Sequence, residues 1–329
     1  MKNILLIGMN FYEYENFIIN NLANQGNKIF YYTDINDFII GRFFGNVIKI
    51  KKKHIIYQNN KTLKQIKDKH IDYVIVLVGR FLQPEFLNML RALCPVAHFI
   101  LYLWDDIKRV ENFSEIYHFY DKIYSFDPVD SSHYGFTFLP LFFDKIHLQS
   151  LNTCRNDIYS AMWMHSDREA IVHAIINKYS SLKMNIFFTT NLCKKIKFFC
   201  SDFTKKEIHY RWRKLKIQEV TNGMLQSRAI LDVQFPSQVG LTIRTMDALS
   251  VGRKLITTNQ SVKYYDFYDP QNICIIDREN PVLPSDFFKT PYKPVPMKVL
   301  NKYSLSNWLD ILFGLKEEKF LITGNPYGL

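Results

Sequence analysis

Apolar and polar positions along the chain fall into short continuous apolar runs separated by segments of helical spacing. Residues 3–7 form the first run, and residues 13–24 follow with Phe17, Ile18 and Leu22 at helical spacing up to a stop at Gly26. A second strand is expected over 28–32, and the pattern between 34 and 57 resolves into no single element. A polar helix over 61–69 precedes the apolar run 73–78, which is bounded by Asp72 and Gly79 as a parallel strand buried on both faces should be. Pro84 suits the first turn of a helix reaching about residue 92. Strands over 98–103 and 122–126 then flank a helix over 112–120.

The alternation resumes after a crossing around residues 140–151. Strands are expected over 157–162, 184–188, 230–233, 254–258 and 273–276, with helices over 168–179 and 222–228. Residues 194–216 read as a basic helical insert. The five prolines between 281 and 296 predict an extended crossing, and Ser304 or Ser306 can cap a last helix running to about Glu318. Repeated strand–helix units with buried strands imply doubly wound sheets. The expected division is 1–150, 151–300, and a terminal helix within 301–329 that returns to the first domain.

A chain of 329 residues is long enough for two domains with separate cores, and 47% hydrophobic against 22% charged residues is the balance of a folded protein. The formal charge of +11 calls for an anionic partner. No zinc-finger spacing or RNP-like motif points to nucleic acid. An anionic membrane surface and a diphosphate-linked substrate fit better. The charge is densest at Lys194, Lys195, Lys197, Lys205, Lys206, Arg211, Arg213, Lys214 and Lys216, interleaved with Phe198, Phe199, Phe203, Tyr210 and Trp212. Such a mixture suits a bilayer interface, and it equally suits a solvated helix pair with a few core aromatics. Lys51, Lys52 and Lys53 form a smaller run, read as a solvated loop or edge.

Five cysteines, odd in number and without a C-x-x-C pair, predict a reducing compartment and no zinc site. No window approaches the length of a membrane-spanning helix, so a cytoplasmic protein is expected, perched at most on the inner membrane face. No glycine-rich dinucleotide fingerprint follows the first strand and no phosphate-loop motif occurs anywhere, which argues against nicotinamide and ATP chemistry. No cofactor or bound metal is expected.

Candidate chemistry gathers where strands end. In the segment 230–259, a strand, a loop opened by Pro236 and broken at Gly240, a helix stopped by Gly252 and a second strand form a βαβ unit. The helix entrance carries Thr242, Arg244 and Thr245, with Asp247 one turn in. Free helix amides, hydroxyls and a guanidinium make an anion site, and a carboxylate further on can bind ribose hydroxyls. Gln234 and Gln238 are candidates for contacts to sugar or base. His165, Ser166, Asp167 and Arg168 open another helix: Ser166 or Asp167 as cap, Arg168 and His165 toward a phosphate, His165 also as proton donor to a leaving oxygen. Asp105 follows the strand 98–103 and can take a proton from, or hydrogen-bond to, an acceptor hydroxyl. The alternative is that Asp105 and Asp106 cap the next helix. Glu13 is a weaker base candidate, and Asn259 either a further donor or a turn cap.

The stretch from Arg244 through Gly252 to Asn259 resembles the nucleotide-sugar segment of GT-B glycosyltransferases, above all those of bacterial capsule and lipopolysaccharide biosynthesis. Segments 101–105, 125–128, 165–168, 240–242 and 264–268 extend the resemblance over nearly the whole chain. It implies two Rossmann-like doubly wound α/β domains facing a cleft, and transfer of a sugar from a nucleotide-diphosphate donor to a glycan or lipid-linked glycan, without a metal. Two departures stand out. The pair of glutamates that many retaining members place eight positions apart is Val239 and Asp247 here, and the strand end before His165 is Ala161-Met162-Trp163-Met164, without the family's glycine. A sugar-nucleotide epimerase and a non-catalytic scaffold of polysaccharide assembly remain alternatives.

Overall fold

The computed structural model describes residues 1–9, 14–33, 48–110, 112–147, 154–190 and 205–329. Glu13, Cys193, Cys200 and the first part of the basic insert, including Lys194, Lys195, Lys197, Phe198, Phe199 and Phe203, lie outside the described residues, as do the side chains of Lys51, Lys52 and Lys53. The chain divides into two units. One holds Met1–Pro140, Leu309–Leu315 and Tyr327–Leu329, and the other Leu141–Trp308 and Lys316–Pro326.

The first unit runs β1 (Asn3–Gly8), α1 (Tyr14–Asn24), β2 (Lys28–Thr33), α2 (Ile48–Ile66), β3 (Tyr73–Leu77), α3 (Pro84–Leu93), β4 (His98–Leu103), α4 (Phe113–Ile116), β5 (Lys122–Ser125), α5 (Pro128–Tyr134) and β6 (Thr137–Phe138). Its six strands lie in the order β2-β1-β3-β4-β5-β6, every neighbouring pair parallel. Strands β1, β3 and β4 are buried almost end to end because helices cover both faces, which is why they appear in the sequence as unbroken apolar runs. Helix α2 corrects an expectation, starting at Ile48 instead of residue 61. Its basic, weakly patterned beginning conceals the helix, whereas Leu63 and Ile66 anchor its end in the core.

The second unit runs β7 (Asn156–Trp163), α6 (Arg168–Lys178), β8 (Met184–Thr189), β9 (Ile208–Arg211), α7 (Ile217–Leu225), β10 (Ser227–Asp232), α8 (Ile243–Val251), β11 (Lys254–Thr257), β12 (Ile273–Ile275) and α9 (Met297–Lys302), and a last helix, α10 (Leu305–Leu312), begins in it and has its end, from Leu309, in the first unit. Again six parallel strands form one sheet, in the order β12-β11-β10-β7-β8-β9. Its core gathers Ile158, Val172, Ile186, Phe188, Leu231 and Ile256 from strands and helix α6. Strand β9 replaces part of the expected helical insert. Ile208 is buried, Tyr210 stacks on Phe188, and His209 and Arg211 turn to the other face. That two-residue alternation is a strand's, but four residues are too few to outweigh the charged flanks.

Strand order places the functional rims. In each sheet the first strand, β1 or β7, lies inside, and the chain winds away from it in both directions. The crevice outside the carboxyl ends at such a reversal is where doubly wound sheets hold ligands. In the second unit the reversal lies between β7 and β10, and in the first between β1 and β3.

Candidate functional site

Helix α8 begins directly beyond the carboxyl end of β10, and its entrance is organised by a residue the sequence pattern conceals. Asp232, the last residue of β10, is fully buried. Its Oδ2 accepts from the Thr242 hydroxyl at 2.8 Å and the Thr245 hydroxyl at 3.1 Å. The guanidinium of Arg244 lies 3.7 Å from Oδ1. Thr242 is therefore N-cap by backbone position only, since its side chain makes no capping bond to α8. Both threonine hydroxyls, expected to meet a ligand, turn inward to the strand end. Arg244 is mostly buried, with its Nε free of any hydrogen bond. Asp247 sits in the helix's second turn, half-buried, and its carbonyl accepts from Ser250. The partners of Asp232 stand ten to thirteen residues further along, beyond the loop, so no local pattern singles it out.

Across the reversal, the loop after β7 carries His165, Ser166 and Asp167. Ser166 adopts φ 49°, a left-handed conformation that non-glycine residues seldom take. The His165 Nδ1 is 3.1 Å from the Ser166 hydroxyl, and its ring lies 5.5 Å from Phe235 in the loop after β10. Asp167 precedes α6 without capping it. Instead its carboxylate accepts two bonds of 2.8 Å from Arg278, which also donates to the Gln234 carbonyl at 2.6 Å. Partial burial raises the Asp167 pKa, but the hydrogen bonds and charge of Arg278 outweigh it and hold the carboxyl below its ordinary value.

Arg168 is expected from the sequence to approach a phosphate. In the structure it is buried, donating from Nε to the Val233 carbonyl at 2.6 Å and from a terminal nitrogen to the Trp163 carbonyl at 2.8 Å. It ties the ends of β10 and β7 together, as Arg278 ties the loop after β12 to those after β7 and β10. Gln238 donates to the Gly240 carbonyl at 2.9 Å, within its own loop. Gln234 is buried and accepts from the Thr258 hydroxyl. Asn259 caps the short 3-10 turn Gln260–Tyr264 and donates to the Val239 carbonyl at 3.1 Å. The loop between β10 and α8 is thus pinned from three sides.

In the first unit, Asp105 stands just beyond β4 and is gripped from both sides. Arg80 donates to its Oδ2 at 2.6 Å, and Arg109 lies 3.5 Å from Oδ1. Arg80, which the sequence pattern gave no reason to select, follows a tight turn centred on Val78, where the Gly79 amide bonds back to the Leu77 carbonyl and Val78 takes φ 68°. A β-branched residue in that conformation is strained and survives only where its surroundings enforce it, and Val78 is buried. Asp106 does not cap the following turn with its side chain either. Burial raises its pKa, with Asp105 and Asp127 nearby adding to the effect against the opposing Arg109. Among the described residues no group of histidine, cysteine and carboxylate side chains is arranged to hold a metal ion.

No family model matches the chain, and no curated protein matches it. Solved structures do. An α-glucosyltransferase in complex with UDP-glucose and DNA containing an abasic site matches with a TM-score of 0.58 at 11% identity, covering 94% of this chain and 93% of that one. A glycosyltransferase from Rickettsia africae gives 0.58 at 12% identity over 96% and 99% of the two chains. An α,α-trehalose-phosphate synthase (UDP-forming) from Burkholderia vietnamiensis gives 0.59 at 8% identity over 95% and 99%. Identities this low speak for the fold alone. Taken with the two six-stranded parallel sheets, they establish that the chain has the GT-B glycosyltransferase fold, built from two Rossmann-like units.

Proposed function

We propose that the protein is a glycosyltransferase that moves a sugar from a nucleotide-diphosphate donor to a cell-surface glycan, carried on a lipid at the cytoplasmic face of a membrane. The observation that carries this reading is Arg244 at the entrance of α8, beside the strand reversal of the second unit. In the reaction the bond between the sugar's anomeric carbon and the diphosphate oxygen breaks, and one to an acceptor oxygen forms. Negative charge develops on the leaving diphosphate. The Arg244 guanidinium and the first-turn amides of α8 are suited to hold it, with no metal required. His165, at the opposite side of the reversal, meets the same phosphate or gives a proton to the departing oxygen. Asp247 takes the ribose hydroxyls, and Thr242 and Thr245 act through Asp232 to fix the helix entrance. Arg168, and Gln238 within its loop, keep the surrounding backbone in place.

Asp105 is the residue of the first unit proposed to meet the acceptor, receiving the hydroxyl proton or orienting the hydroxyl. Two of the fold neighbours are described with UDP-glucose bound or as UDP-forming, so uridine donors are the first to test. Among the described residues no helix is long and apolar enough to cross a membrane.

The deciding experiment is calorimetry of UDP-, GDP-, CMP- and dTDP-sugars against the wild-type protein and Arg244→Ala. One nucleotide should bind, and the substitution should weaken it about ten- to hundredfold, the worth of one charged hydrogen bond. An undiminished affinity removes Arg244 from the site and the reading with it. The second reading, a non-catalytic scaffold, draws on Val239 standing where many retaining members have glutamate. It predicts weak or absent nucleotide binding and no transfer.

A further inference from the structure

Strand β9 is an edge of the second sheet, paired only with β8 among the described strands. Its surroundings are strongly one-signed: residues 205–216 hold six lysines and arginines against the single acid Glu207. Lys205, Lys206, Arg211, Trp212, Arg213 and Lys214 are all exposed. Within this strip the basic groups lie on aromatic faces. The Arg211 guanidinium is 5.2 Å from the centre of the Phe187 ring on β8, and that of Arg213 is 4.1 Å from Trp212. Trp212 itself is 49% exposed. His209, beside Arg211, is held below the ordinary histidine value by burial and by that arginine.

Charge alone on an edge strand has an ordinary explanation, because lysines and arginines there prevent pairing with other chains. That explanation does not call for an exposed tryptophan with a guanidinium on its face. An indole flanked by cations is what the headgroup level of an anionic bilayer selects, the ring entering the interface and the charges meeting lipid phosphates. Position adds to the case. Arg211 pairs in register with Thr189, and Thr189 with Trp163, so the strip begins in the same row as the end of β7. Two strand spacings separate them, about 10 Å. Trp163 is exposed as well, and His165 follows it by two residues.

We infer that the strip from Arg211 to Lys214, supported by Lys205 and Lys206, docks the carboxyl rim of the second sheet on an anionic lipid bilayer. This deepens the proposed function, resting on it for the purpose of the contact, a lipid-borne acceptor presented near His165, but not for the contact itself.

The test is sedimentation of the full chain with phosphatidylcholine vesicles made with and without phosphatidylglycerol, read together with tryptophan fluorescence. The protein should follow only the phosphatidylglycerol vesicles, come off in high salt, and lose most of its spectral shift in Trp212→Phe. Arg211→Glu with Arg213→Glu should lower partitioning at least roughly tenfold, while the paired lysine replacements retain it. Equal binding to both vesicle types overturns the inference, as does undiminished binding of the glutamate variant or of Trp212→Phe with its spectral shift intact. A strip that takes up a DNA oligonucleotide and no vesicles also overturns it. Calorimetry with the nucleotide sugar on the same samples keeps the two readings apart: vesicle binding without donor binding sinks the transferase proposal alone, and donor binding without vesicle binding sinks this one.

Discussion

Asp232 and Arg244 face each other across 3.7 Å at the junction of β10 and α8, and neither Oδ1 of the one nor Nε of the other makes a hydrogen bond. The carboxylate's second oxygen carries two threonine hydroxyls, so the pair is anchored on one side and open on the other. Removing Asp232 strands three polar groups at once. Asp232→Ala should lower the unfolding free energy by about 3–5 kcal/mol, the penalty of breaking a buried charge pair. Asp232→Asn, which keeps an acceptor oxygen, should cost clearly less. Urea unfolding of the two variants is the check, and equal losses would show that the hydroxyl bonds contribute little.

Asp105 allows kinetics to separate two roles. If it receives the acceptor's proton, Asp105→Asn should reduce transfer about a hundredfold or more with the donor's Kd unchanged. Should it only hold Arg80, Arg80→Ala and Asp105→Asn will produce the same modest loss, and the double variant will lose no more than either single one.

Asp130 makes stability depend on pH. Burial first, then Asp127 and Asp106, raise its pKa to about 6, against the opposing bond from the Ile107 amide. The folded state therefore holds this proton more tightly than the unfolded one. Its contribution is complete below the unfolded value near 3.8 and disappears as pH rises through about 6. Asp130→Asn keeps an acceptor for Ile107 without the buried charge. Its stability relative to wild type should improve between pH 4 and pH 6 and level off above, as followed by denaturant midpoints across that window.

Gly223 lies inside α7, where alanine would normally gain about 1 kcal/mol of helix propensity. Here an added Cβ would lie 2.3 Å from Cε2 of Tyr159, closer than side chains approach, and Tyr159 is buried on β7. Overpacking of this kind is worth roughly 1–3 kcal/mol in the opposite direction. Gly223→Ala should be destabilising on balance, and a raised melting temperature would show that the tyrosine moves aside easily.

Much of this fold is written in single apolar runs. Strands β1, β3, β4, β10 and β11 are legible because both faces are covered, so burial needs no periodicity to be seen. Edges are less legible: β9 and the two-residue β6 carry too few buried positions to stand out. Helix α10 ends at Leu312, short of the expected Glu318, because Gly314 turns left-handed and the Leu315 amide bonds back to Asp310. At the candidate site, Arg244, His165 and Asp247 could be picked out by type and by position at strand ends. Their partners could not. Asp232, Arg278 and Arg80 act through contacts 12, 111 and 25 residues away in sequence, and local pattern holds no record of such distances.

Residues Leu309–Leu315 belong to the first unit although nearly all of the second is translated before them. The Ile311 carbonyl accepts from the Tyr124 hydroxyl, and Phe313 stands edge-on to Tyr73. During synthesis the sheet of the first unit can form early, yet its last contacts cannot close until residues 309–315 have left the ribosome. The usual order, in which a leading domain finishes before the trailing one starts, is unavailable here. A fragment cut at Pro140 would be an unfinished body, not an independent half.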